Sequence, residues 1–196
     1  MKYFLIAGMA TLLFSCSKPV DIVPPPATPP APPAMEYTDL GNIPAGKGHV
    51  VVLDPNHDGA SDIYFSYQLV GDGILHADKH QFYTSALRNI FFPFDIFEEA
   101  PSLAKGAAIG ATSFPGYDWA NGSVILAEKV VPVRDLPYWM GQWKNVSHRY
   151  LPLLLKKGQE QYFGWIELSF NIQTELITLH RMAISRQDGS VAYAGY

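Results

Sequence analysis

Three aspartates, an asparagine and a glycine fall at fixed spacing in Asp54-Pro55-Asn56-His57-Asp58-Gly59-Ala60-Ser61-Asp62, the pattern DxNxDGxxD. Oxygen donors at alternating positions, followed by a glycine that permits a sharp turn, let a short loop wrap a hard cation. In this pattern Asp54, Asn56 and Asp58 would offer side-chain oxygens, Ala60 its carbonyl and Asp62 the closing carboxylate. A full EF-hand needs a bidentate Glu at the twelfth loop position. Phe65 stands there, which excludes that motif. A shorter nine-residue loop, closed by its ninth residue, fits instead. Asp, Asn and Gly also favour plain turns, so a turn without metal is the competing reading. Three acids and an amide in register exceed what a turn requires.

The nine residues resemble the calcium loops of dockerin, thrombospondin type 3 and integrin-type repeats. The resemblance covers these positions only and implies a structural Ca2+. The affinity expected of an extracellular site of this kind is a Kd of about 10⁻⁴–10⁻³ M.

Other residue sets could carry chemistry with less support. His76, Asp78 and His80 alternate and could share one strand face as transition-metal ligands, although no fourth ligand is evident. Trp139 and Trp143, two of four tryptophans, could stack on sugar rings if exposed; core packing is the competing explanation, as it is for Trp119 and Trp165. The acids Glu98, Glu99, Asp118, Glu128, Asp135, Glu160 and Glu167 are scattered, and a glycosidase would need two of them brought together by the fold. Neither a GxSxG nucleophile motif nor a phosphate-binding loop is present.

The elements that would position these residues read as strands. His49–Leu53, Asp62–Val70, Gln81–Leu87, Ser123–Lys129 and Tyr150–Leu155 are short runs rich in apolar, aromatic or β-branched residues. Gln161–Ile172 is the clearest: Ile166, Leu168, Phe170 and Ile172 alternate with Glu167, Ser169 and Asn171, the period of a half-buried strand. Leu176–Ile184 should pair with it across Gln173-Thr174-Glu175. The metal loop falls between two of these strands, where a hairpin loop belongs. Asp95–Lys105 is the best helical window, and Pro101 interrupts it. Residues 106–122 read as loop. The expectation is an all-β fold over residues 35–196, a single antiparallel β-sandwich with a jelly roll as one candidate topology.

Ahead of this domain, Met1-Lys2 gives a positive start, Tyr3–Phe14 an apolar run, and Ser15 a small residue before Cys16. That order is a secretory signal. The run is shorter than the roughly 20 apolar residues a spanning helix needs. Leu13-Phe14-Ser15-Cys16 resembles the lipobox of bacterial lipoproteins, with a looser Phe at its middle. The resemblance implies cleavage after residue 15 and a lipid on Cys16, whose acyl chains make the membrane a partner. Cys16 is the single cysteine, so no internal disulfide can form. Ser17, where enteric lipoproteins retained at the inner membrane carry Asp, implies the outer membrane. Residues 16–34 would then be the lipidated Cys and a spacer. Eight of the sixteen residues from 19 to 34 are proline, which makes an extended stalk of roughly 50 Å.

The formal charge is −4, or −5 without Lys2, which argues against nucleic acid as a partner. The DxNxDGxxD loop, Phe163–Phe170, Ile177–Ser185 and Ala192–Tyr196 together resemble a group of exported bacterial β-domain proteins. That resemblance implies an exported β domain and no particular activity. The leading expectation is a non-enzymatic, calcium-stabilised binding or structural module in the cell envelope, with a glycan or protein as ligand. The alternatives are a carbohydrate-binding accessory domain using Trp139 or Trp143, and a hydrolase with two carboxylates about 5–9.5 Å apart.

Overall fold

The computed structural model describes residues 33–196. The expected signal segment, Cys16 and the spacer through residue 32 lie outside the described residues. Within them there is no helix, and the strands assemble into antiparallel sheets packed as a β-sandwich.

The strands are β1 (Met35–Gly46), β2 (Val51–Leu53), β3 (Ile63–Asp72), β4 (Ala77–Ala86), β5 (Ile90–Phe94), β6 (Ala108–Ile109), β7 (Asp118–Ala120), β8 (Ser123–Pro132), β9 (Tyr138–Met140), β10 (Val146–Lys157), β11 (Glu160–Asn171), β12 (Leu176–Ser185) and β13 (Ala192–Tyr193). One sheet runs β1-β12-β11-β10-β5-β7 and the other β2-β3-β4-β8-β9, with β6 and β13 as a separate pair. Hairpins between sequence neighbours join β2-β3-β4, β8-β9 and β10-β11-β12, while β1-β12, β5-β10 and β4-β8 pair across long stretches of chain.

The core lies between the two sheets. Ile166, Leu168 and Phe170 of β11 and Leu151, Leu153 and Leu155 of β10 face Ile63 and Phe65 of β3, Phe82 of β4 and Leu126 of β8. The inward half of the β11 alternation is therefore the half expected from sequence. A second apolar cluster forms on the outer face of the six-stranded sheet, where Tyr150, Leu154, Phe163 and Trp165 pack with Ile109, Ala192 and Ala194. This second layer explains the unbroken Leu153-Leu154-Leu155 run, since a strand covered on both faces has no polar side to alternate with.

Asp95–Lys105, the best helical window, is not helical. It forms turns and two isolated bridges, Glu99 to Ile125 and Leu103 to Tyr150. Ala100 and Pro101 are both buried, and Pro101 cannot donate within a helix. Residues 106–122 hold the short strands β6 and β7 within what reads as loop. The longest unexpected strand is β1. Its apolar residues are irregularly spaced because a register shift between Asp39 and Ile43 interrupts its pairing with β12.

Candidate functional site

β2 and β3 pair antiparallel with Leu53 opposite Ile63, so residues 54–62 are the loop of one hairpin. Its base is fixed by the backbone. The Asp62 amide donates to the Leu53 carbonyl at 2.9 Å, and the Asp62 carbonyl accepts from the Leu87 amide at 2.7 Å. Between these points the chain curls around its own carboxylates. Asp54 accepts the Gly59 amide at 2.8 Å and the Asp58 amide at 3.3 Å. Asn56 Oδ1 accepts the Asp58 amide at 2.9 Å, and Asp58 Oδ1 accepts the Ala60 amide at 2.8 Å. Gly59 holds φ +85°, a conformation side chains rarely adopt.

This curl brings Asp54, Asp58 and Asp62 together, with one carboxylate oxygen from each within 4.8 Å of the others. Asp58 is exposed and Asp54 half-buried, but Asp62 is 0% exposed and neither of its carboxylate oxygens has a hydrogen-bond partner. Burial pushes the Asp62 carboxyl above the usual range. The negative charges of Asp58 and Asp54 push it the same way, while Arg88 opposes them. A buried charge needs pairing or coordination. The triad could therefore hold a metal ion. Asn56 and Ala60 belong to the same loop and are engaged with the Asp58 backbone and side chain respectively.

The other candidate sets come out differently. Trp143 is wholly buried, with its indole N–H donating to the Ala100 carbonyl at 2.9 Å, so it has no ring face to offer a sugar. Trp139 is half-buried against Phe82 and Phe170, with the Lys129 ammonium 5.8 Å from its ring. Trp165 is buried and belongs to the outer cluster. His76 sits in the turn before β4, and His80 Nδ1 is bonded to the Tyr67 hydroxyl at 2.7 Å. Among the described residues His76, Asp78 and His80 do not gather as a metal-ligand group.

Of the scattered acids, Glu99 and Glu128 line one cleft of about 520 Å3 with Lys79, Gln81, Phe97 and Met140. Glu128 is held by Gln81 at 2.7 Å and Lys79 at 3.6 Å. The Glu99 carboxyl is pushed up by its burial and then by the nearby Asp95 and Glu128.

A polar cluster on the outer face of the six-stranded sheet went unrecognised in the sequence. Glu167, only 5% exposed, accepts from His148 Nδ1 at 2.7 Å and from Arg181 Nε at 2.5 Å. Ser169 and His180 lie beside it and the His148 and His180 rings stack at 4.2 Å. One signal was available. In Ile177–Ile184 the inward residues are Ile177, Leu179, Met182 and Ile184, and the three-residue step from Leu179 to Met182 marks a bulge.

No family model, curated protein or solved structure matches the chain.

Proposed function

We propose that the chain is an exported, lipid-anchored β-sandwich whose Asp54–Asp62 loop holds a structural calcium ion, and that it serves as a binding or structural module of the cell envelope. Asp62 carries the calcium reading. Its carboxylate is fully buried, has no hydrogen-bond donor and lies against two further carboxylates. A divalent cation would convert three mutually repelling charges into ligands of one centre. Calcium suits oxygen donors on an irregular loop better than magnesium, which demands near-octahedral geometry and gives up water reluctantly.

The anchor rests on Cys16, the chain's single cysteine, placed directly after Leu13-Phe14-Ser15. Ser17 supports the outer membrane as destination. The stalk would hold the sandwich away from the lipid surface.

Thermal unfolding of the purified chain in millimolar calcium, millimolar magnesium or chelator tests the calcium reading. A cation binding only the folded state at a one- to tenfold excess over Kd, which millimolar calcium gives here, adds about 0.4–1.4 kcal/mol, or about one to a few degrees of Tm for a domain of this size. Calcium raises Tm, chelator reverses the rise and magnesium does less. Asp58→Ala removes most of the response while the fold persists in chelator. Identical melting curves in calcium and chelator would leave the nine residues as a turn.

A further inference from the structure

Three of the four consecutive strands β1-β12-β11-β10 of the six-stranded sheet lose their regular register at the same level. On β1 the shift falls between Asp39 and Ile43, opposite Arg181 and Leu179 of β12. On β12, Arg181 pairs with Glu167 and Leu179 with Leu168, so His180 is the extra residue. On β10 the shift falls between Val146 and Arg149, opposite Phe170 and Leu168 of β11. Ser169 sits in the middle of these irregularities. Bulges re-aim side chains and are enriched next to active sites. Two of the residues displaced here, Asn42 and His148, also hold positive φ of 59° and 50°.

The displaced side chains meet in a defined order. Ser169 Oγ lies 2.8 Å from His180 Nε2, and His180 Nδ1 lies 2.6 Å from Asn42 Oδ1. An amide oxygen only accepts, so it fixes the proton on Nδ1 and leaves the Nε2 lone pair facing the serine hydroxyl. The His148 backbone N–H donates to Ser169 Oγ at 2.9 Å, which fits a hydroxyl whose own proton points at His180. A hydroxyl, a base within reach and a group orienting that base are the parts of an activated nucleophile. His180 and Asn42 border an open pocket of about 480 Å3 lined also by Tyr37, His148, Glu167 and Arg181 among others, and Ser169 adjoins it through its hydrogen bond to His180. Burial, and then the neighbouring His148, hold His180 below the ordinary histidine range, with Glu167 opposing. That keeps the ring neutral and able to accept a proton.

The geometry points to a second function for this chain: Ser169, His180 and Asn42 form an acyl-transfer site that hydrolyses esters of small carboxylic acids. Ser169 Oγ bonds to the acyl carbon as its proton passes to His180 Nε2. The bond to the leaving oxygen breaks, and that oxygen takes the proton from His180. Water then attacks the acyl carbon and gives a proton to His180. The Oγ–acyl bond breaks, the proton returns to Oγ, and an acid and an alcohol leave. Arg181, held on Glu167 through Nε, has its terminal guanidinium N–H groups left to donate to the acyl oxygen. Ser169 and His180 are the catalytic residues, and Asn42 is a positioning residue acting through His180.

The purified full chain is treated with a fluorophosphonate, which forms a phosphorus–oxygen bond to an activated serine with loss of fluoride, and the adduct is mapped by mass spectrometry. p-Nitrophenyl acetate serves as the substrate probe. Ser169 carries the adduct, and Ser169→Ala loses it. His180→Gln slows ester hydrolysis on the order of 10²-fold or more, the usual contribution of a positioned base. Asn42→Ala slows it while Asn42→Asp, which still orients the imidazole, restores it at unchanged Tm. Wild-type protein that shows no adduct at Ser169, or modification only elsewhere, overturns the proposal without needing any variant to fold. Equal loss of rate in Asn42→Ala and Asn42→Asp overturns the role given to Asn42.

Discussion

The carboxylates of Asp58 and Asp62 approach within 4.8 Å of each other, yet the first is exposed and the second is wholly buried without a hydrogen-bond partner. The two positions therefore respond differently to substitution. At Asp58, solvent screens the charge when no cation is present. At Asp62 the charge is desolvated and faces two others of the same sign.

Asp62→Asn should consequently behave in opposite ways in the two conditions. The amide keeps the shape of the side chain, removes the buried charge and can donate to the carboxylates of Asp54 and Asp58. In chelator the variant melts a few degrees above the wild type. In millimolar calcium it melts below it, because a charged ligand has gone. Paired melting curves in the two buffers check this. A variant destabilised equally in both would mean that Asp62 is neither strained without metal nor a ligand.

The hairpin that carries this loop was legible because its signals are local. Val51–Leu53 and Ile63–Val70 are β-prone, and the intervening donors are spaced by chain geometry alone. β11 was legible for the same reason, since beyond Trp165 the polar Glu167, Ser169 and Asn171 alternate with the core residues Ile166, Leu168 and Phe170. What the sequence concealed is non-local. Trp143 could be an exposed ring or a core residue until the Ala100 carbonyl is known to receive its N–H. β1 pairs only with β12, and its bulge spoils the alternation that would reveal it. Asn42 and His180 are 138 positions apart, and only that pairing brings them together.

Cys16 gives a prediction independent of the folded domain. If the lipid is carried on its sulfur and amine, Cys16→Ala leaves no site for it. Cells fed a clickable fatty acid should label the wild type and not the variant, and the variant should leave the membrane fraction. Label retained on Cys16→Ala would remove the anchor from the proposed function.

Gly164 lets β11 and β12 approach closely. A Cβ placed there would collide with the Ala183 carbonyl oxygen and lie 3.0 Å from the Ile184 Cα, both backbone atoms that cannot swing aside. Gly164 pairs with Ile184 inside the sheet, so relief requires the strands to separate. Gly164→Ala should cost about 3 kcal/mol, the upper range for overpacking, measured by urea unfolding. Gly158, in the β10–β11 turn, has open space around it. Gly158→Ala meets only the strain of its φ of +63° and should cost less. Equal losses at the two positions would contradict the packing argument.

Glu167 and His180 make the protein's stability depend on pH in two separable steps. Burial raises the Glu167 carboxyl, but hydrogen bonds from Arg181 and His148 outweigh it and leave the group below its ordinary value of 4.5. The unfolded chain then takes the proton first. The stabilisation from Glu167 is complete above about pH 4.5 and is lost as pH falls through the lower folded value. His180 is also depressed, by burial first and by His148 next, from an ordinary value of 6.5. Protonation again favours the unfolded chain, so its contribution declines as pH falls below about 6.5. Glu167→Gln should remove the lower step and cost about 1–3 kcal/mol at pH 7 through the lost charge-assisted hydrogen bonds. It should also deepen the upper step, because the Glu167 charge holds the His180 value up. His180→Gln should flatten the upper step and leave the lower one. Urea unfolding from pH 3 to pH 8 reads both, and an acid limb for Glu167→Gln that falls as steeply below pH 4.5 as that of the wild type would refute the assignment.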